Sequence, residues 1–370
     1  MSQNGLISMI NIKKFASSYN TLLGILSNKL QLNKLYHFPV DIQVEPTSKC
    51  NLSCIMCGRT YIHRKNADMS LENFKNLILN MKYLKSLTLN GLGEPMLNPD
   101  IFEMITFAKN RGIIVRLSSN ATTLDSLNSE KLISTGLDHL FISLDGASSE
   151  VYEYIRKGAN FESVVDNIKE LVKNKEKLRK ETPNITIDIV GMKTNLEEIP
   201  AIIELANSIG VKRVNVRHLY FDYEKRDYST QLKGSRDDLN FMKNESLFME
   251  DKAHVLKIFR RAVETSKKLG VGLHLPAFEK GNINDLKKFK CVWPWFHSYI
   301  DHAGYVTPCC ICPDKNEICF GNINDMPFKN IWNNKDYREF RRLFATNNYP
   351  KVCETCMRPI NELSTFVDKS

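Results

Sequence analysis

Glu45-Pro46-Thr47-Ser48-Lys49-Cys50-Asn51-Leu52-Ser53-Cys54-Ile55-Met56-Cys57 places three cysteines in one short loop, with C-x3-C-x2-C spacing. Three thiolates this close suit three irons of one cubane cluster. Clusters that only carry electrons are usually held by four cysteines. A three-thiolate set leaves one iron for a substrate or cofactor to coordinate. Zinc is the competing reading, since Cys50, Cys54 and Cys57 with His63 make a structural three-cysteine, one-histidine set.

Outward from this loop, strands and helices alternate. Strands are expected at Val40–Val44, Ser86–Leu89, Ile113–Leu117, His139–Ser143, Ile185–Val190 and Arg213–Arg217. Helices fall between them, for example Ser70–Met81 with Ser70 as N-cap, and Phe161–Leu178. The chain is therefore α/β, six βα-type units forming a parallel sheet that closes toward a partial (β/α)6 barrel. In such architectures the loops at the carboxyl ends of strands build the site. The unusual loops sit there: the cysteine loop, Gly91–Pro95, Ser118–Asn120 and Leu144–Gly146.

The stretch Val44-Glu-Pro-Thr-x-x-Cys-Asn-Leu-x-Cys resembles the signature of the radical S-adenosylmethionine (SAM) superfamily. The resemblance implies that the open iron chelates SAM. One electron then releases a 5′-deoxyadenosyl radical that abstracts hydrogen. Met56 stands where many members carry an aromatic residue near the adenine, and it is soft enough to fill that space. Gly93, Glu94 and Pro95 resemble the motif whose backbone meets the SAM ammonium, with glycine allowing close approach. By the same resemblance Ser119, Asn120, Ser143 and Asp145 lie along the cofactor, and Arg217 approaches the adenine. Arg156 is expected to pair with the SAM carboxylate, which suits a bidentate fork.

A second cysteine block runs from Cys291 to Cys356. Cys291-x12-Gly304-x4-Cys309 and Cys353-x2-Cys356 resemble the SPASM motif, here in the shortened Twitch form because no cysteine follows Cys356. Cys291, Cys309, Cys353 and Cys356 are four thiolates, enough for a fully ligated auxiliary [4Fe–4S] cluster; zinc also accepts such a set. Cys310, Cys312 or Cys319 could replace Cys309. The expected division is a helical lead-in over 1–39, the radical SAM barrel over 40–220, a polar substrate-covering segment with a connecting helix and strand over 221–290, and the small SPASM/Twitch domain over 291–370. The apolar residues Phe15, Tyr19, Leu22, Leu23 and Ile25 of the lead-in are expected to pack on the main domain.

The formal charge is +9. A basic surface can attract anions, but no nucleic-acid-binding motif is present and no apolar run is long enough to span a bilayer. All ten cysteines fall in the two blocks, which argues for metal ligation in a reducing cytoplasm rather than a disulfide framework.

The resemblance implies SAM and two [4Fe–4S] clusters as cofactors, and flavodoxin or ferredoxin as electron donor. The first expectation for the substrate is a sugar-like or aminocyclitol-like small molecule, undergoing oxidation or epimerisation. The one auxiliary cluster resembles that of the aminocyclitol dehydrogenases, and the lead-in is shorter than the leader-binding domain many peptide maturases place first. His274 is then a candidate base, and Cys310, Cys312 or Cys319 a candidate hydrogen donor. The alternative is a peptide maturase making a thioether, a carbon–carbon link or a D-residue; a zinc-stabilised binding module is the remote third.

Overall fold

The computed structural model describes residues 3–60, 64–219, 236–278, 291–350 and 365–367, together with Cys353 and Cys356. His63 and two parts of the expected covering and connecting segment, 221–235 and 279–290, lie outside the described residues.

Strands β1 (Asp41–Val44), β2 (Ser86–Leu89), β3 (Ile114–Ser119), β4 (His139–Ser143), β5 (Asn184–Gly191), β6 (Arg213–His218) and β7 (Gly272–Leu275) lie side by side in chain order, each parallel to the next. Before and between them run helices α1 (Gln3–Lys29), α2 (Leu71–Asn80), α3 (Ile101–Lys109), α4 (Ser126–Ser134), α5 (Ser149–Ile155), α6 (Phe161–Lys177), α7 (Ile199–Ser208), α8 (Arg236–Glu245) and α9 (Lys252–Leu269). β1 and β3–β7 alternate between buried and less buried positions, while β2 buries both Ser86 and Leu87. Ile42 and Val44, Val115 and Leu117, Ile187 and Ile189, and Leu273 and Leu275 face the helix layer and are buried. Each such side chain contributes about 1.5–3 kcal/mol on burial. The positions between them are polar or half-buried and line the concave face of a partial barrel.

The parallel run is one strand longer than six units, because β7 continues past β6. The C-terminal region then extends the sheet at both ends. Short strands β8 (Tyr299–Ile300), β9 (Tyr305–Thr307) and β10 (Gly321–Asn322) follow helix α10 (Trp293–Phe296). β8 adds parallel to β1, while β9 and β10 continue antiparallel. Helices α11 (Phe328–Ile331) and α12 (Lys335–Ala345) come next, and β11 (Thr365–Val367) pairs antiparallel with β7. Among the described residues the eleven strands run in an open order from β10 to β11. Among the described residues no helix is long and apolar enough to cross a membrane.

The lead-in departs from the expectation. It forms one helix, α1, whose inward face is small and polar: Asn20, Gly24 and Ser27 are buried, while Tyr19, Leu22 and Ile25 are more than half exposed. A Cβ at Gly24 would stand 2.6 Å from Phe296, so glycine lets the helix approach α10. Phe15 lies outside the described side chains. Residues 33–38 dock on the C-terminal region. Leu35 and Asn333 exchange hydrogen bonds of 2.9 and 2.8 Å, and Trp332 Nε1 donates to the His37 carbonyl at 2.8 Å. An Ile25→Lys variant is therefore expected to change stability by no more than about 0.5 kcal/mol, the range for surface substitutions. Urea unfolding checks this; a loss of several kcal/mol would mean the apolar stripe is packed.

Candidate active site

The cysteine loop follows β1 directly. Cys54 is buried, and Cys50 and Cys57 are partly buried. Burial pushes the Cys54 thiol up to about 12 against the pull of Arg156, and the charges of Cys57 and Cys50 push the same way. The three sulfurs are thus within mutual electrostatic reach on one turn. A cation reverses this penalty, because coordination deprotonates the thiol outright. The donor set fits an iron–sulfur cluster. Among the described residues no three or more His, Cys, Asp and Glu side chains converge on one ion-sized position. A cubane does not require that, since its thiolates stand on separate irons.

Two strand-end loops are locked against this one. A Cβ at Gly93 would run into the backbone carbonyls of Thr47 and Lys49, so only glycine permits the contact. Glu94 N–H donates to the Lys49 carbonyl at 2.8 Å. Pro95 opens the short 3₁₀ turn Pro95–Leu97. The Glu94 carboxylate, 3% exposed, is occupied within the protein. It accepts from Ser119 Oγ at 2.8 Å and from Asn120 N–H at 2.7 Å. Burial raises its pKa despite those bonds. Asn120 Nδ2 in turn donates to Asn51 Oδ1 at 3.0 Å, inside the cysteine loop. Ser119 and Asn120, expected along the cofactor, thus brace the loops by their side chains.

Asp145, fully buried, is a second hub. Its carboxylate accepts from Arg156 Nε at 2.6 Å and from Val190 N–H at 2.7 Å. Burial raises its pKa, with Arg156 opposing. Arg156 NH1 also reaches Cys54 Sγ at 3.8 Å. The fork expected on a SAM carboxylate is therefore engaged at two nitrogens. Ser143 ends β4 half-buried, opposite Asp188 of β5. Met56 packs with Ile55 against Ile155, Met192, Leu219 and Met242, an apolar patch beside the loop.

Arg217 and His274 lie elsewhere, on the concave face. Arg217 Nε donates to Asp188 Oδ1 at 2.9 Å, and its guanidinium lies 5.9 Å over the Phe141 ring. His274 Nδ1 meets Asn215 Oδ1 at 2.5 Å, and Asn215 Nδ2 donates to Asp188. Since a carboxylate only accepts, the Asn215 oxygen must face His274, whose Nδ1 is then the protonated nitrogen. Burial and the Arg217 charge lower the His274 pKa. Both residues line a cavity of about 350 Å³ with Phe141, Thr186 and Asn215.

In the C-terminal block, burial raises the Cys309 thiol, and the charges of Cys310, Cys356 and Cys291 add to it. Tyr349 feels Cys291 and Cys353. Five cysteines therefore gather, and either Cys309 or Cys310 can complete a four-thiolate set. Cys312 is buried, with Sγ 3.4 Å from Glu317 Oε2. Cys319 interacts with the Gly321 backbone, and its electrostatic neighbours are Asp301, Lys315 and Asp336 rather than the other cysteines.

Sequence reasoning missed the buried carboxylate that joins the two regions. Glu45 is 0% exposed. Its oxygens accept from Arg64 NH1 at 2.8 Å, His302 Nδ1 at 3.0 Å and Leu92 N–H at 2.8 Å. Arg64 NH2 continues to the Pro313 carbonyl. Burial pushes the Glu45 pKa up, but the His302 bond and the Arg64 charge outweigh it, leaving a net lowering. Asn195 was also missed; its Nδ2 ties the carbonyls of Asp145 and Val190 at 2.9 Å each. The Arg64, His302 and Leu92 partners of Glu45, and the Asp145 carbonyl that Asn195 holds, are distant in sequence, so spacing alone does not reveal these bonds.

A family profile described as "Radical SAM superfamily" matches residues 44–206, and one described as "Iron-sulfur cluster-binding domain" (SPASM) matches residues 291–357. An AdoMet-dependent heme synthase of Methanosarcina barkeri is 26% identical over 343 residues, covering 86% of this chain and 91% of its own. A PqqA peptide cyclase of Gluconobacter oxydans is 26% identical over 327 residues, covering 86% and 83%. The crystal structure of Streptococcus suis SuiB bound to precursor peptide SuiA superposes with a TM-score of 0.58 at 15% identity, over 90% of this chain and 74% of that one. The loops that close on Cys50, Cys54 and Cys57, and the gathered C-terminal cysteines, thus lie where the two profiles match. The chain belongs to the radical SAM superfamily and carries a C-terminal SPASM domain, with SAM and two [4Fe–4S] clusters as its cofactors.

Proposed function

We propose that the protein is a peptide-modifying radical SAM enzyme. Likeness to a peptide cyclase along 86% of the chain carries this reading over the sugar-like or aminocyclitol-like substrate first expected. In this reading Cys50, Cys54 and Cys57 hold the SAM-binding cluster. Cys291, Cys353, Cys356 and one of Cys309 or Cys310 hold the auxiliary cluster. SAM on its cluster, supplied with an electron by a flavodoxin or ferredoxin, furnishes a hydrogen-abstracting radical. The chain's own residues do the rest. The Gly93 turn and the apolar patch around Met56 position the cofactor. The open concave face admits an extended chain, and Arg217, Asn215 and His274 offer polar contacts to its backbone or side chains. His274, with its proton on Nδ1, is the candidate base on this face.

A small-molecule substrate is the second reading, favoured by the equal identity to a heme synthase. The test uses reconstituted enzyme, SAM, a reductant and peptides from small reading frames beside the gene. A SAM-dependent loss of two mass units, or deuterium gain from heavy water at one residue, is the expected result. Absence of binding and modification for every such peptide, with deoxyadenosine formed on a small alcohol or tetrapyrrole instead, would overturn it.

A further inference from the structure

Arg156 sits across from the middle cysteine of the cluster loop, and the backbone holds it there. Ser53 N–H donates to the Lys157 carbonyl at 2.9 Å, and Ile55 N–H to the Ile155 carbonyl at 3.0 Å. These two bonds straddle the pair, so Cys54 and Arg156 face each other across a short two-rung staple. The guanidinium is fixed at its other edge as well. Asp145 Oδ2 accepts from Nε at 2.6 Å, and Asp145 is itself pinned by Val190 N–H at 2.7 Å. With that edge committed, NH1 is turned to Cys54 Sγ at 3.8 Å. Arg156 is 8% and Asp145 0% exposed, so solvent screens little of either charge; at Cys54 the Asp145 charge opposes that of Arg156 and is the weaker of the two.

We propose that Arg156, positioned by Asp145, is a redox-tuning residue: its N–H···S bond and buried charge make the SAM-binding cluster easier to reduce. Donors to cluster sulfurs and nearby positive charge stabilise the more negative, reduced state. The proposal rests on the cluster loop and not on the nature of the substrate. It differs from the carboxylate-pairing role implied by family resemblance, because it acts before SAM is bound.

The test is an EPR-monitored redox titration of the full-length, anaerobically reconstituted protein. The SAM-binding cluster is assigned as the one whose spectrum changes on adding SAM, and its midpoint is then read in SAM-free samples. Two variants are used. The pair variant Arg156→Gln/Asp145→Asn removes both charges without orphaning either. Arg156→Lys keeps the charge but cannot fork between Asp145 and Cys54. The pair variant is expected to disfavour reduction of that cluster at least tenfold, about 59 mV for one electron. The lysine variant should move it the same way by less. The auxiliary-cluster midpoint should hold in both, which a general loosening of the fold would not allow. An unchanged SAM-free midpoint in both variants overturns the proposal, as does an equal shift of both clusters. An unchanged midpoint with weakened SAM binding would return Arg156 to the cofactor carboxylate. If the pair variant takes up no iron, the lysine variant decides alone.

Discussion

Glu45→Ala is expected to destabilise the protein by about 3–5 kcal/mol, the usual consequence of removing one partner from a buried ion pair. The carboxylate is completely buried, and Arg64, its side chain only 13% exposed, loses its directly bonded anion and is left with the charge of Asp301. Leu92 N–H loses its acceptor, and His302 its contact. Glu45→Gln keeps the shape and one acceptor, so its loss should be smaller. The wild-type contribution also has a pH signature. The folded Glu45 pKa is depressed below 4.5. Its stabilisation is therefore full above the unfolded value and is lost as pH falls through the lower folded one. Urea unfolding of both variants at pH 7 and near pH 3.5 checks this. A Glu45→Ala loss below 1 kcal/mol would contradict the assigned role.

Gly93→Ala is expected to weaken SAM binding at least tenfold, about 1.4 kcal/mol, while both clusters still assemble. The added methyl meets main-chain carbonyls of Thr47 and Lys49, which cannot swing aside as a side-chain tip would. Overpacking of this kind costs about 1–3 kcal/mol. It also pulls Glu94 N–H from Lys49 and loosens the carboxylate that holds Ser119 and Asn120. Gly272→Ala is the matched control, because its Cβ would meet nothing nearer than 3.6 Å. Equilibrium binding of SAM to the reconstituted variants reads the effect. Unchanged affinity in Gly93→Ala would remove this turn from the cofactor site.

The local part of this architecture was legible in the sequence. His139–Ser143 is found at the expected bounds and Phe161–Lys177 within one residue of them, because alternation and capping report on neighbouring residues. The Ser70 cap does accept from Asn73 N–H. Pairing over long separations was not legible. Nothing near Tyr299 announces that β8 will join β1, and nothing near β7 announces β11. The outward apolar face of α1 was misread because hydrophobic spacing cannot tell which face meets a neighbour. Gly24, which lets α10 approach, decides it. In the site, the cysteine spacing was decisive for the cofactor. The internal use of Glu94 and Asn120 was not foreseeable, since motif letters do not say whether a side chain meets a ligand or a neighbouring loop.

The central claim is a SAM-binding cluster on Cys50, Cys54 and Cys57 with a separate auxiliary cluster on the C-terminal cysteines. Iron and sulfide analysis of anaerobically reconstituted protein tests it most directly, comparing wild type with Cys50→Ala/Cys54→Ala/Cys57→Ala. About eight irons falling to about four, with deoxyadenosine formation lost, is the predicted result for two four-iron clusters. About four irons in wild type and none in the variant would contradict an auxiliary cluster on the C-terminal cysteines.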